Sequence, residues 1–574
     1  MLLFVLVSGL MAAVFLGAWI MWGAAWPLLV TFLAVWLAIF LVAGTRAYLR
    51  RLPVRLLLAT FVSATLTTTV AKLLAIYWQI ELALIDTLIL SSYVVADTLL
   101  LCVLVYMLLD ALTALHLRDH KPTLPEPGPT PHVTIHVPIR NEPVSVLDAT
   151  LRALARLDYP DYDVIVLDNN TTDERLWKPV EALCQELGFT FHHVENLEGY
   201  KAGALNLALR LTSPASDLIG IVDADYIVEP DFLRAAAAPF ADPAVGFVQT
   251  AQGSLNVEQS PVTRDFSVVF EYFYDVTMVA RRQRNSIIFA GTMGLIRRSA
   301  LEEVSGWAEW SITEDAELSL RLLARGYRGV YLHHNYGYGR MPANYLDCRR
   351  QWYRWIFGGA QYTLRHFWAI LLNPRVGLSL RQRIDYLMGG LLMSLSASGM
   401  MFMSFGYLIA GLGLAVAAQV SQSPALLFHN YAVIAEVTII YHLFLVLHSL
   451  LIAHVSSQMS RISLRQALAG ILSSFSVIIV LAHAVLNALL VQPAAFHRTP
   501  KEDTHYRLRQ YLSMIRVEVL LVVVVTAVVL TMLLLVPFQP FLLVYVVLGL
   551  WQIGVYSTAV WKSIQSTRGE TAHA

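Results

Sequence analysis

Three long apolar blocks frame this chain. Residues 2–45, 54–109 and most of 386–562 are largely apolar, whereas 117–343 has the composition of an ordinary globular domain. Crossing the hydrocarbon core of a bilayer takes roughly 20 apolar residues in a helix. The blocks therefore predict a membrane protein: an α-helical transmembrane bundle interrupted by one domain in water. With 57% hydrophobic and 14% charged residues, the 574-residue chain is too apolar for a soluble protein. The formal net charge is zero, which gives no electrostatic case for a nucleic-acid partner. Cys102, Cys184 and Cys348 lie far apart in unlike contexts, so neither a disulfide framework nor metal-ligand spacing is present.

Four candidate spans precede the domain, at about 2–22, 26–45, 55–78 and 84–109. Met1 to Ile20 has no basic leading region and a second apolar run follows at once, so it reads as a retained span rather than a signal peptide. Arg46, Arg50, Arg51 and Arg55 lie between the second and third spans, and Arg118 and Lys121 follow the fourth. The short loops near Trp22 and Glu81 carry no Lys or Arg. The bias of basic residues toward the cytoplasmic side puts the N-terminus and the domain in the cytosol. Further spans are expected at about 386–416, 429–455, 514–536 and 540–562. Ile471 to Val491 is long enough to cross, yet Arg461 and Arg465 precede it and Arg498, Lys501, Arg507 and Arg509 follow. A single crossing would place one basic cluster outside. A re-entrant or interfacial helix is therefore expected, leaving about eight true spans.

Pro122, Pro125, Pro127, Pro129 and Pro131 make a stiff linker into the domain. Beyond it His132–Pro138, Asp163–Asp168 and Leu218–Asp223 read as buried strands, separated by helical stretches near 144–157, 174–187 and 200–211. This alternation predicts a mostly parallel sheet with helices on both faces. Downstream, Asn344 to Gly359 sets Tyr345, Trp352 and Trp355 against Arg349, Arg350 and Arg354, which suits a helix in the bilayer interface.

Open parallel sheets bind ligands at the carboxyl ends of their strands, and polar endings fall there. They are Pro138 to Glu142, Asp168-Asn169-Asn170 and Asp223-Ala224-Asp225. Residues i and i+2 of an extended segment face the same way, so Asp223 and Asp225 are candidates to share one Mg²⁺ or Mn²⁺ ion with diphosphate oxygens. The plainer reading of Asp-x-Asp is a solvated turn. Lys201 opens a helix after Gly199, where amides and ammonium suit phosphate; a solvated helix start is the plainer alternative. Thr313-Glu314-Asp315 precedes the helical run Ala316–Ala324. It reads as an N-cap with acids in the first turn, and also as a rigid place for a base, Asp315, to deprotonate an acceptor hydroxyl. Gln351, Arg354 and Trp355 share one helical face by their spacing. They offer an amide, a cation for a diphosphate and a ring for a sugar, or simply an interfacial anchor. His442, His448 and Glu436 are polar channel groups or satisfied helix contacts. His192-His193 and His333-His334 are given core or surface roles.

Taken in order, Asp168, Lys201-Ala202-Gly203, Asp223-x-Asp225, Thr313-Glu314-Asp315 and Gln351-x-x-Arg354-Trp355 resemble a known motif set. It is that of the processive, inverting family-2 glycosyltransferases, which include cellulose, hyaluronan, chitin and curdlan synthases. The likeness covers roughly residues 60–540. It implies a cytosolic α/β domain of the GT-A type on a transmembrane channel that secretes the polymer as it grows. Asp168 would contact uridine, Lys201 the donor side, Asp223 and Asp225 nucleotide and metal, and Gln351 and Arg354 the diphosphate. Asp315 would be the base. Trp355 would stack beneath the acceptor sugar. Phe247–Thr250 and Phe289–Thr292 are similar to acceptor-site segments, which adds Gly291 and Thr292 to the acceptor side with Glu314. Ala290 stands where cellulose synthases carry Cys. Phe496, Thr499 and Lys501 resemble the family's gating loop, with Arg498 in place of the usual Val.

The resemblance further implies the domains 1–116 (spans), 117–343 (catalytic), 344–385 (interface helices), 386–495 (spans and re-entrant helix), 496–510 (gating loop) and 511–574 (final spans and tail). Only Lys562 to Ala574 follows the last span, so no PilZ module for cyclic-di-GMP is expected. Asp168–Trp177 and Gly306–Trp310 look most like β-glucan synthases of the curdlan and cyclic β-(1,3)-glucan type. UDP-glucose, a growing β-1,3-glucan, the bilayer of a bacterial inner membrane and accessory envelope proteins are the implied partners. Other polymers of the same family, a non-processive lipid-carrier transferase, and a transporter with a degenerate domain are the competing readings. Intact Asp223, Asp225 and Asp315 argue against the last.

Overall fold

The computed structural model describes residues 26–45, 55, 58–60, 62–63, 84–118, 130–420, 445–490 and 506–572. Expected features outside these residues include the span at 2–22, most of 55–78, the linker up to Pro129, His442, Glu436, and the gating-loop residues Phe496, Thr499 and Lys501. The chain divides into two compact units: one of 1–116, 395–482 and 506–574, the other of 117–394 and 483–505.

The second unit is built on an eight-stranded sheet. Its strands are β1 (Val133–Ile139), β2 (Tyr162–Asn169), β3 (Thr190–Val194), β4 (Leu218–Ile221), β5 (Ile227–Val228), β6 (Val245–Ser254), β7 (Gly294–Arg297) and β8 (Arg328–Gly339). They lie in the order β3-β2-β1-β4-β7-β6-β8-β5. Near-continuous apolar runs form β1 and β2 because both faces are covered, and Val133, Ile135, Val137, Val164 and Val166 are fully enclosed. Helices α1 (Val144–Leu154), α2 (Glu174–Leu187) and α3 (Tyr200–Leu211) fall between them, the last two with the limits the sequence predicts. Helix α1 buries Leu147, Leu151 and Leu154 at helical spacing. Asp173 caps α2 by accepting the Arg175 N–H, and Gly188 ends it in the left-handed region.

The sheet is less parallel than the alternation implied. Pairs β1–β2, β1–β4, β2–β3 and β6–β8 are parallel, but β7 runs antiparallel to both β4 and β6, and β5 antiparallel to β8. A short return strand such as β7 pairs antiparallel without a crossover helix, so it leaves no periodic signal. Register shifts between β6 and β8 near Thr250, Ala251 and Gly253 curl the sheet. Ile139 pairs with Asp168, so the carboxyl ends of β1 and β2 are level beside the loop that leaves β4. Three further helices complete the setting: α4 (Pro261–Tyr272), α5 (Glu314–Ala324) and α6 (Tyr345–Arg365). Asn344 caps α6 through the Asp347 N–H, and α6 continues well past Gly359, the end expected from its amphipathic pattern.

Among the described residues the first unit is helical. Tyr407 donates to the Tyr545 carbonyl at 2.9 Å and pairs of small and large residues mesh, Gly549 against Val529 and Tyr407. His448 takes the plainer of its two roles, donating to the Leu104 carbonyl at 3.0 Å as a helix–helix contact. Among the described residues, Leu380–Val420, Arg516–Leu535 and Pro540–Thr567 are long and apolar enough to cross a membrane. Leu464–Ser476 and Ile478–Leu489 meet at a 45° bend, giving up to four spans if this pair counts as one. The bend lies within the segment expected to be re-entrant or interfacial.

Candidate active site

A cavity of about 640 Å³ opens beside the carboxyl ends of the first strands. Of the residues given site roles from sequence, Lys201, Asp223, Gly291, Thr292, Glu314, Asp315, Gln351, Arg354 and Trp355 lie on its wall. Segments more than 150 positions apart in the chain thus converge on one space. Asp168 and Asp225 are not on that wall.

At the β2 end, Asp168 is 1% exposed. One carboxylate oxygen accepts from His193 Nδ1 at 2.6 Å and the other from Thr171 Oγ1 at 2.5 Å. The His193 ring lies flat on Trp177, centroids 4.3 Å apart. So His193, given a core or surface role from sequence, is the partner of a predicted site residue. The next residue, Asn169, is the one that reaches the cavity, and its Nδ2 donates to the Tyr200 carbonyl at 2.9 Å.

Lys201 occupies the centre. Its ammonium donates to Asp223 Oδ1 at 2.6 Å and to the Gly291 carbonyl at 3.0 Å. Burial works against that charge, but Asp223 and then Glu314 raise the lysine above its ordinary pKa. Strand β4 stops at Ile221 and the chain turns, with the Tyr226 N–H donating to the Asp223 carbonyl at 3.2 Å. The two-residue alternation expected for Asp223 and Asp225 therefore does not apply. Asp223 faces the cavity, while Asp225 is 3% exposed and accepts the Arg340 N–H at 3.2 Å.

The loop Ala290-Gly291-Thr292 is fixed from behind by side chains whose part the sequence did not disclose. Gln249 accepts the Ala290 N–H at 2.7 Å and donates to the Thr292 carbonyl at 3.0 Å. Gln252 donates to the same carbonyl at 3.1 Å while its own oxygen accepts from Tyr226. Thr292 Oγ1 in turn accepts the Asp223 N–H at 3.0 Å. Gly291 has φ +77°, and a Cβ there would sit 2.5 Å from Asp315 Oδ2. Only glycine lets the carboxylate rest against this loop.

Asp315 lies in the first turn of α5, and its Oδ1 accepts the Ala316 N–H at 2.8 Å. Thr313 occupies the cap position but its side chain does not cap. Instead α6 lies over it: a Cβ on Gly358 would strike Thr313, and one on Gly359 would approach the Gly390 carbonyl to 3.3 Å. Gln361 of α6 also accepts the Ile312 N–H and donates to the Trp310 carbonyl. The α6 helix thus positions the acidic turn as well as bearing Gln351, Arg354 and Trp355. The Trp355 ring stacks at 24° to Phe270, 6.3 Å between centroids, and Phe270 and Tyr274 extend the aromatic wall. Those two sit where α4 passes into a π-turn, Phe273–Met278, which no residue motif marks.

The charges in this space are strongly perturbed. Burial, then the neighbouring Asp315 carboxylate, push Glu314 up to about 8. Burial also raises Asp315, opposed chiefly by the Lys201 ammonium. Arg354 is lowered by burial, with Glu314 and Asp223 offsetting. Glu314 therefore favours its protonated form at neutral pH and passes its midpoint near pH 8, adding negative charge beside Asp315. An alkaline fall in turnover near that pH is expected, and Glu314→Gln, which keeps the neutral form, should remove it; identical pH–rate profiles for the two proteins would refute this assignment.

The donor types suit a hard divalent cation. Among the described residues no group of three or more His, Cys, Asp or Glu side chains gathers as a metal cage. An ion held by one or two carboxylates and substrate oxygens needs no such cage, which is the usual manner for Mg²⁺. Asp223 on the wall fits that pattern in chemistry, whereas Asp225 lies off the wall with one oxygen on the Arg340 N–H.

A family model described as glycosyl transferase family group 2 matches residues 218–556. A cellulose synthase catalytic subunit (UDP-forming) of Xanthomonas axonopodis pv. citri (strain 306) is 32% identical over 268 residues, 45% of this chain and 35% of that one. Glucomannan 4-beta-mannosyltransferase 2 of Arabidopsis thaliana is 29% identical over 256 residues, 43% of this chain and 48% of that one. The chain spans about half or less of the length of these curated relatives. Among solved structures, the mannosyltransferase PcManGT from Pyrobaculum calidifontis, in complex with GDP-Man and Mn²⁺, is matched over 69% of this chain and 100% of its own. Identity there is 19% and the TM-score 0.46.

Proposed function

We propose, from the premise that this chain belongs to glycosyl transferase family group 2, that it is a membrane-integrated polysaccharide synthase. In this reading it extends a β-linked polymer from a nucleoside diphosphate sugar and passes it across a bacterial inner membrane. The domain is GT-A-like, a curled α/β sheet with its cavity at the strand ends. The observation that carries the reading is the meeting of base, cations and aromatic wall in one cavity.

Lys201, Gln351 and Arg354 surround the place of the diphosphate, two cations and an amide for a leaving group that gains charge. Asp315 takes the proton of the acceptor hydroxyl as its oxygen attacks the anomeric carbon and the bond to the diphosphate breaks. A single displacement converts an α-linked donor into a β-linked product. Asp223, together with substrate oxygens, would hold Mg²⁺ or Mn²⁺, which when bound supplies positive charge to the leaving diphosphate. Trp355 with Phe270 presents the apolar face on which the acceptor sugar rests. Asp168 supports the nucleoside end from behind.

The finer reading is UDP-glucose as donor and a β-1,3-linked glucan as product, supported by the likeness of Asp168–Trp177 and Gly306–Trp310 to such synthases. A 4-linked glucan or mannan is the second reading, favoured by the relatives, which are a cellulose synthase and a 4-beta-mannosyltransferase. Membranes bearing the protein, given each nucleotide sugar with Mg²⁺ or Mn²⁺, should make high-molecular-weight polymer from one donor. Digestion with linkage-specific glucanases and mannanases then assigns it. No polymer from any donor would defeat the synthase reading.

A further inference from the structure

We propose that Glu317 and His366 are positioning residues for sugar transfer. Their bond pins the far end of α6 to α5, and so sets where Arg354 and Trp355 stand relative to Asp315. The inference rests on the reading of Asp315 as the base, and deepens it by naming what holds base and acceptor ring in register.

Asp315 and Glu317 share the first turn of α5. Asp315 is on the cavity wall, whereas Glu317 is 1% exposed and off it, as is His366, the residue that ends α6. Both carboxylate oxygens of Glu317 are taken. Arg321 Nε donates to each at 2.8 Å, and Arg321 Nη2 lies 2.7 Å from Oε2. His366 Nε2 lies 2.8 Å from Oε1. Burial alone would raise the glutamate, but the bonds from His366 and Arg321 outweigh it and hold the carboxyl below its ordinary value. A carboxylate only accepts, so His366 Nε2 carries the proton of this bond.

The pin is stiff on both sides. Arg321 also donates to the Val304 carbonyl and, at 2.8 Å, to the Gly306 carbonyl, which ties Glu317 to the loop before α5. The His366 ring stands edge-on to Trp310 of that loop, centroids 5.8 Å apart. The Arg365 guanidinium lies 4.2 Å from the centre of the same indole.

Position along α6 gives the bond its use. His366 is about 17 Å beyond Trp355 at the helical rise of about 1.5 Å per residue. The close approach of Gly358 to Thr313 falls between them. A rod held there alone can pivot, and the arm bearing Arg354 and Trp355 swings with it. Gln361 holds the loop before α5, and His366 holds α5 itself. A buried ion pair commonly stabilises no better than apolar side chains of similar volume, so what this one adds is direction.

Turnover, uridine diphosphate affinity and melting temperature of the full chain, in nanodiscs with Mg²⁺, test this. His366→Ala should lower turnover about tenfold, short of the roughly hundredfold that a misplacement of about 1 Å produces. Its affinity for the diphosphate should stay within about threefold, since Lys201 lies on another element. His366→Gln, whose amide N–H can meet the carboxylate, should return turnover to within about threefold of the natural protein. Glu317→Gln must turn its amide N–H₂ toward one of two donors, and should match His366→Ala. Combining Glu317→Gln with His366→Ala should cost no more than about threefold beyond either alone, because both break one bond. Val180→Ala opens a cavity in the fully enclosed face of α2, and should lower the melting temperature with turnover unchanged. Natural turnover in His366→Ala, multiplied losses in the double variant, or an equal loss of turnover in Val180→Ala would each overturn the inference. Should Glu317→Gln fail to fold, the contrast between His366→Ala and His366→Gln decides by itself. Natural turnover in Asp315→Asn would instead remove the base on which the inference rests.

Discussion

Asp315→Asn is expected to lower glycosyl transfer by about three orders of magnitude while leaving uridine diphosphate affinity within about threefold. The substitution keeps shape and removes the proton acceptor. General-base catalysis is commonly worth about 10²–10⁴ in rate, and burial strengthens the case here by raising the carboxyl toward the working pH. The nucleotide contacts proposed for Lys201 and Arg354 do not pass through Asp315, so binding should survive. Incorporation of radiolabelled sugar in membranes, beside calorimetric titration with the diphosphate, measures the two quantities. Retention of a tenth or more of the natural rate would exclude Asp315 as the base.

Gly291→Ala should cost about a hundredfold in turnover, a loss of the size a displacement of about 1 Å in a catalytic group produces. The new methyl would lie 2.5 Å from Asp315 Oδ2, so either the carboxylate or the loop must shift. The loop has little freedom, because Gln249, Gln252 and Lys201 all bond its backbone. Backbone strain is a competing cause, since φ is +77°. Gly188→Ala separates the two: Gly188 has φ +73° but open space about its Cβ. That variant should lower the melting temperature and leave turnover unchanged. If Gly291→Ala is as active as Gly188→Ala, the glycine does not serve to seat the base.

What the sequence disclosed follows from which interactions are local. The apolar runs of β1 and β2 and the limits of α2 are written into short segments, so their positions could be read directly. The pairing of β7 between β4 and β6 joins residues far apart and has no local signature. The motif residues were legible because each pairs an unusual side chain with a strand end or helix start. Their orientation was less so. Turning at Asp223 rather than continuing the strand sends Asp225 toward the Arg340 amide. A one-residue difference at the end of β2 sends Asp168 inward and Asn169 to the cavity. Phe270 and Tyr274 were invisible, since they straddle the passage from α4 into the π-turn, which no residue motif marks. Gln249 was noticed only as part of a segment, and its grip on two backbone groups needs the folded sheet.

The meeting of Gly359 with Gly390 has a mechanical consequence. Here main chain lies on main chain, and no flexible side chain stands between them to absorb displacement. Gly390 belongs to the long apolar rod Leu380–Val420, and Gly359 is one turn beyond Trp355 on its own helix. A shift of the main chain at Gly390 would therefore press directly on the helix that carries Trp355 and Arg354.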